Sequence, residues 1–145
     1  VGLLDSLLMA PDYTLIHDFA FKFQDERFKV LRDLADEAAF KIIEKLKQAF
    51  LDFEEVYLAV HVPPFEEVCI HDKKLMSPNL LVHFCHKRLG DQLIELMAGK
   101  PNKQLVVLAG HTHEEAMCKP LPNIKMKVAN ASYFKPSIHK VLKIS

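Results

Sequence analysis

The stretch Gln104-Leu105-Val106-Val107-Leu108-Ala109-Gly110-His111-Thr112-His113 decides the fold of this chain. Its continuous apolar run before Gly110 is typical of a strand buried in a parallel sheet. A second apolar run, Val56-Tyr57-Leu58-Ala59-Val60, leads directly to His61. Pro63 and Pro64 then remove two backbone donors, so we expect the second strand to end near His61.

Helices are predicted before and between these strands. From Asp25 onward, apolar side chains recur every three or four positions while charged ones fill the other side, as in an amphipathic helix. The apolar positions are Phe28, Leu31, Ala35, Ala38, Ile42, Leu46, Ala49 and Phe53. Ser77 and Pro78 are favourable N-cap and first-turn residues for a second helix, which we expect to continue to Gly99. Strand, helix and strand in this order predict a parallel βαβ unit and an α/β fold.

The rest of the chain carries weaker signals. Ile124–Val128 alternates apolar and polar residues, and the segment from His139 to Ile144 does so loosely. Both are therefore predicted to be strands at the end of the domain, each with one solvent-exposed face. Gly110 is expected to allow a sharp turn that a side chain would obstruct. The first 23 residues show no usable periodicity.

Composition limits the possible partners and compartments. Lys plus Arg and Asp plus Glu number 19 each, so overall charge implies neither nucleic acid nor an anionic membrane as a partner. No apolar run approaches the length of about 20 residues that crosses a bilayer. The three cysteines are widely spaced without a CxxC pair. We therefore expect free thiols and a cytoplasmic location.

Histidines follow both apolar strands. Ligands in open α/β sheets collect beyond the carboxyl ends of parallel strands, where His61, His111 and His113 are expected to lie. Neutral imidazole is a common ligand of zinc, iron and manganese. These residues therefore predict a metal site at one edge of the sheet, although a lone histidine there could equally be a hydrogen-bonded core residue.

The blocks His61-Val62-Pro63-Pro64-Phe65 and Gly110-His111-Thr112-His113 resemble the last two signature blocks of calcineurin-like metallophosphoesterases. The resemblance implies a four-layered α/β/β/α sandwich that holds two divalent ions, of Mn, Fe, Zn or Mg. It also implies hydrolysis of a phosphomonoester or phosphodiester by a metal-activated hydroxide. His61 and His111 would share one ion and His113 would bind the other, while the catalytic and substrate-binding residues stay unassigned.

The chain departs from this family pattern because it contains no Asp-x-His, no Gly-Asn-His and no Gly-Asp before His61. Gly90-Asp91 lies inside a predicted helix and reads as a helix-surface pair. Since the chain also starts at Val1, we expect residues 1–145 to be a single domain or a carboxy-terminal fragment whose partner is the missing amino-terminal half. Without carboxylates, two dications would repel each other, so we predict at most one weakly held metal and no turnover of phosphate ester.

Two alternatives remain open. The same fold could serve as a non-catalytic scaffold that binds other proteins. A zinc-stabilised binding domain could instead use Cys69, His71, His83 and Cys85, although this spacing matches no zinc finger. Burial of the cysteines in the core would explain them without a metal.

Overall fold

The computed structural model of this protein describes residues 12–143. Within this range, four α-helices, α1 to α4, span Asp12–Leu15, Gln24–Asp52, Pro78–Phe84 and Lys87–Ala98. Six strands of the same range, β1 to β6, span Glu55–Ala59, Ile70–His71, Lys74–Leu75, Gln104–Ala109, Ala116–Leu121 and Ile124–Val128. A short 3₁₀ helix spans Glu66–Val68. None of the helices in the described range combines the length and apolar composition needed to cross a membrane.

The main sheet contains four strands in the order β1-β4-β6-β5. Strand β4 pairs in parallel with β1 and with β6, while β5 pairs antiparallel with β6. The connection from β1 to β4 passes through α3 and α4, so the predicted parallel βαβ unit and the α/β class are confirmed. Strands β2 and β3 form a separate small hairpin.

Helices α2 and α4 pack on one face of the main sheet. Leu105 and Val107 are fully buried on that face of β4, and they belong to one core with residues of both helices. Helix α4 contributes Leu89, Leu93 and Met97, and helix α2 contributes Ala39, Ile43, Leu46 and Phe50. The opposite face carries the half-buried Lys125 and Lys127 of β6. The four-layered sandwich needs a second large sheet, which residues 12–143 do not supply.

The predicted helix from Pro78 to Gly99 is in fact two helices. Helix α3 ends at Phe84, the backbone of the following Cys85 is extended (φ −133°, ψ 126°), and α4 starts after His86. The amide of His86 donates to the carbonyl oxygen of Pro63 at 2.8 Å instead of continuing the helix. The apolar periodicity of the sequence continues across this break because both helices have apolar faces. The break itself coincides with the hydrogen bond from His86 to Pro63, which lies in a loop distant in sequence.

The terminal strands were predicted only in part. Strand β6 coincides with the predicted strand Ile124–Val128, and its residues alternate between buried and half-buried. The strand predicted from His139 is wrong over its described residues, since 139–143 have no regular structure, and Ile144 lies outside the described range. Strand β5 was not predicted. It lies at the edge of the sheet and contains Pro120, which edge strands tolerate.

Candidate metal site

The loops after β1 and β4 are held side by side. Because these strands are parallel neighbours, their carboxyl ends lie at the same edge of the sheet. Backbone pairing continues past both strands. The N–H of Val60 donates to the carbonyl oxygen of Leu108 at 2.9 Å, and the N–H of Gly110 donates to the backbone carbonyl oxygen of His61 at 3.2 Å. This continued pairing brings the side chains of His61 and His111 together.

The two imidazoles form a close pair. Nε2 of His61 and Nδ1 of His111 are 3.1 Å apart, and the ring centroids are 4.8 Å apart with the rings inclined at 64°. His61 is exposed and His111 is half-buried, so the pair opens to solvent on the His61 side. Two of the three predicted ligands therefore lie together, and their role as ligands stays a prediction.

The other nitrogen of His111 is held by the end of α3. Nε2 of His111 lies 3.1 Å from the carbonyl oxygen of His83. A carbonyl oxygen only accepts hydrogen bonds, so neutral His111 carries its proton on Nε2 and directs the lone pair of Nδ1 towards His61. The ring of Phe84 lies against the His111 ring, with centroids 4.8 Å apart. Residues 83 and 84 therefore fix both the tautomer and the orientation of this imidazole.

The backbone around the histidines adopts an unusual conformation. His111 and His113 have φ values of 68° and 63°, in the left-handed region that residues other than glycine seldom adopt. The expectation for Gly110 is wrong, because a Cβ there would have no other atom within 4 Å and its φ is not left-handed. Such strained residues cluster at functional sites, and here the strain falls on the two histidines themselves.

His113 lies in a different environment from the pair. Its ring packs edge-to-face against Tyr133 with centroids 4.7 Å apart, and its carbonyl oxygen accepts from Ala131 N–H at 3.1 Å. Thr112 lies between His111 and His113 in the chain, and its hydroxyl is buried without a hydrogen-bond partner within the described residues. The structure thus joins His61 with His111 and places the His113 ring beside the segment that follows β6.

The loop after His61 rests on Gly90 of α4. A Cβ on Gly90 would lie only 2.1 Å from the carbonyl oxygen of Pro64. The interpretation of Gly90-Asp91 as a surface pair is therefore wrong for Gly90, which is buried, whereas Asp91 is exposed and accepts from Lys87 at 3.2 Å. Glycine inside a helix costs about 1 kcal/mol relative to alanine, so its presence was a sequence signal of close packing.

The structure does not assemble the alternative zinc site. His71 is exposed in the β2–β3 hairpin, and Nδ1 of His83 lies 3.3 Å from the hydroxyl of Tyr13. Cys69 is fully buried, as the core interpretation expects, while Cys85 is half-buried. His71 and His83 thus lie apart from the two cysteines, and no three of the four proposed ligands form a compact ligand group within residues 12–143.

A group of three possible ligands does occur at His71, Asp72 and Glu114, whose side-chain atoms lie within 4.8 Å of one another. The Glu114 carboxylate already accepts from the amides of Asp72 at 2.5 Å and Lys73 at 3.1 Å. Both amides belong to a tight turn with φ values of 50° and 60°. This carboxylate therefore stabilises the hairpin turn.

Comparisons of the chain with protein-family models, with curated proteins and with solved structures found no match. The resemblance to metallophosphoesterases accordingly rests on the two sequence blocks alone.

Proposed function

We propose that His61 and His111 are two ligands of a divalent cation in a metal-dependent phosphoesterase, and that this chain supplies only part of its active site. The observation that carries the proposal is the 3.1 Å separation between their facing nitrogens. Two nitrogens bound to one zinc ion at about 2.0–2.1 Å would lie roughly 3.0–3.4 Å apart. The spacing of the pair thus suits one cation.

The contact between His111 and His83 supports the same interpretation. Histidines that bind metals usually donate their second ring N–H to a carbonyl or carboxylate, which fixes the ring and makes the ligand nitrogen more basic. The 3.1 Å contact between Nε2 of His111 and the His83 carbonyl oxygen is of this kind. An imidazole buried only for packing needs no such arrangement of both nitrogens.

The chemistry proposed for this site is hydrolysis of a phosphomonoester or phosphodiester. A divalent cation there would supply Lewis acidity, polarising a phosphoryl oxygen and lowering the pKa of water. His61 and His111 would hold the first cation, and His113, whose ring packs against Tyr133, would bind the second. Because the chain contains no Asp-x-His or Gly-Asn-His, the carboxylate ligands are proposed to come from an amino-terminal half of the same domain.

Metal binding by this chain tests the proposal. Isothermal titration with Zn²⁺ should give one weak site, and His61→Ala and His111→Ala should each lower its affinity at least about tenfold. His17→Ala is the matched control, because the His17 side chain is fully exposed and belongs to no candidate ligand group of the described residues. Zinc affinity that is unchanged in both site variants would contradict the proposed cation site.

Binding of inorganic phosphate separates a phosphoesterase from a non-catalytic scaffold. Phosphate should bind the zinc-loaded chain and should not bind the chain without zinc or the His111→Ala variant. A scaffold would show no zinc-dependent phosphate binding. The chain should not hydrolyse p-nitrophenyl phosphate, and turnover that persists in His111→Ala would refute this assignment of the site.

A further inference from the structure

An open cleft lies between one side of α4 and the loop that follows β1. Its volume is about 380 Å³, and its apolar lining comes from three segments: Pro64 and Phe65 of the loop, Leu75 of β3, and Gly90 and Ile94 of α4. Leu75 is 66% exposed and Ile94 is 36% exposed, although both side chains are large and apolar. The cleft therefore presents apolar surface to solvent in the described part of the chain.

Charged side chains surround this apolar surface, and most of them are acidic. Glu66, Glu67 and Asp91 contribute three carboxylates to the lining, and Lys87 contributes one ammonium group. Nζ of Lys87 lies 3.2 Å from Oδ1 of Asp91 and 3.9 Å from Oε1 of Glu66, so these two carboxylates share one cation. Glu67 is exposed and forms no ion pair within residues 12–143. Three negative charges and one positive charge leave the lining with a net charge of −2.

The cleft differs from an ordinary patch of surface in two respects. Single apolar side chains are often exposed on soluble proteins and need no partner, but Leu75 and Ile94 come from separate segments and line the same concave surface. The acidic excess is local, since the whole chain has 19 basic and 19 acidic residues. An exposed apolar surface with a polar rim is typical of a binding site, and the negative charge of this rim favours a cationic partner.

We propose that this cleft is a docking site for a basic peptide segment of another protein. One apolar side chain of the peptide would lie between Leu75 and Ile94, and a neighbouring lysine or arginine would pair with Glu67. Arginine suits this position best, because its guanidinium group can donate two parallel hydrogen bonds to one carboxylate. Contact with the apolar lining supplies affinity, and the carboxylates select basic sequences over acidic ones.

The docked peptide would contact the loop that presents His61. Pro64 and Phe65 of this loop line the cleft, and the carbonyl oxygen of Pro64 packs against Gly90. A peptide in the cleft would hold the loop against α4 from its open side. Docking itself does not depend on the proposed metal site, whereas any effect of the peptide on zinc binding rests on that proposal.

Selection from a phage-displayed library of random peptides tests the proposal. Peptides enriched on the wild-type chain should carry an apolar residue flanked by arginine or lysine. A synthetic, fluorescein-labelled copy of the most enriched peptide should bind in a polarisation titration. Replacing its apolar residue by alanine, or its basic residues by glutamate, should weaken binding at least about fivefold. High salt should also weaken binding, because part of the attraction is between exposed charges.

Variants of the cleft check where the peptide binds. Glu67→Lys and Leu75→Ser should each lower the affinity at least about fivefold. Both side chains are exposed, so neither substitution disturbs the core. Glu95→Lys and Leu51→Ser are the matched controls and should bind as the wild type does, because both residues are exposed and lie outside the cleft.

Three results would overturn the proposal. The first is a library selection without enrichment, or with enrichment of peptides that lack basic residues. The second is equal peptide affinity in the cleft variants and in the wild type. The third is a concentration-dependent dimer in analytical ultracentrifugation that Leu75→Ser dissociates, because a second copy of this chain would then occupy the cleft.

Discussion

Gly90 in the first half of α4 contacts the carbonyl oxygen of Pro64 so closely that a Cβ on Gly90 would lie 2.1 Å from that oxygen. A real Cβ cannot approach a backbone oxygen to this distance. The loop that presents His61 therefore depends on a missing side chain in a helix distant in sequence. The adjacent Pro63 carbonyl is held from the same region, by the amide of His86 at 2.8 Å.

Gly90→Ala should destabilise the protein, although alanine favours helices. The improved helix propensity contributes about 1 kcal/mol, and overpacking against a backbone oxygen costs roughly 1–3 kcal/mol, so we expect a net loss of up to about 2 kcal/mol. Urea unfolding would measure it. Gly99→Ala is the control, since its Cβ would meet no atom closer than 3.8 Å, and it should change the free energy of unfolding by less than about 0.5 kcal/mol. Equal stability of the two variants would contradict this account of Gly90.

Phe84→Ala should weaken zinc binding without abolishing it. The ring contacts the His111 ring, so its removal frees the imidazole to rotate while both ligand nitrogens remain. We expect a loss of affinity of several-fold, up to about tenfold. Phe40→Ala on α2 is the control, because Phe40 is 63% exposed. If zinc affinity is the same in both variants, the ring does not position His111.

Asn123→Ala should cost about 2 kcal/mol, because it removes two side-chain hydrogen bonds that contribute about 1 kcal/mol each. Nδ2 of Asn123 donates to the carbonyls of Met97 at 3.0 Å and Lys100 at 2.9 Å, joining the end of α4 to the start of β6. The exposed Asn102 provides the comparison, and Asn102→Ala should change stability by less than about 0.5 kcal/mol. Chemical denaturation of both variants checks the difference, which should vanish if Asn123 only fills space.

Glu114→Ala should loosen the β2–β3 turn and cost about 1 kcal/mol, since its carboxylate accepts from two turn amides. Hydrogen exchange at the amides of Asp72 and Lys73 should become faster in this variant. Glu95→Ala, on the exposed side of α4, should leave both exchange rates unchanged. Slow exchange that persists in Glu114→Ala would show that another group holds the turn.

His86 should make the protein less stable in mild acid. Burial lowers the pKa of its imidazole below the ordinary value of 6.5. The contact with the Ala35 carbonyl oxygen at 3.1 Å and the charge of Asp36 act in the opposite direction, but burial has the larger effect. Above 6.5 the side chain is neutral in both states. As pH falls through 6.5, the unfolded chain takes up the proton first, so stability is lost until the folded pKa is passed. The free energy of unfolding at pH 7.5 and 5.5 would show this loss.

His86→Gln keeps a donor for the Ala35 carbonyl but does not titrate, so its stability should fall less between these two pH values than that of the wild type. All other residues are the same in the two proteins, so the difference between wild type and variant isolates His86. An equal loss in the two proteins would refute the assignment.

The sequence by itself predicted the elements whose signals are local. Helix α2 and strands β1, β4 and β6 follow from periodicity and apolar runs, because burial of one face or of a whole strand leaves its period in the chain. The meeting of His61 and His111 followed from these strands, since parallel neighbours end at the same edge of a sheet.

Only the tertiary structure decided the features that depend on contacts between distant residues. The break between α3 and α4 comes from a hydrogen bond to Pro63, and the need for Gly90 comes from the approach of Pro64. The tautomer of His111 depends on the His83 carbonyl oxygen at the end of α3, and Cys69 contacts the neighbouring Phe84 carbonyl oxygen. None of these contacts leaves a period in the sequence, because each joins single groups from separate segments that meet only when the chain has packed.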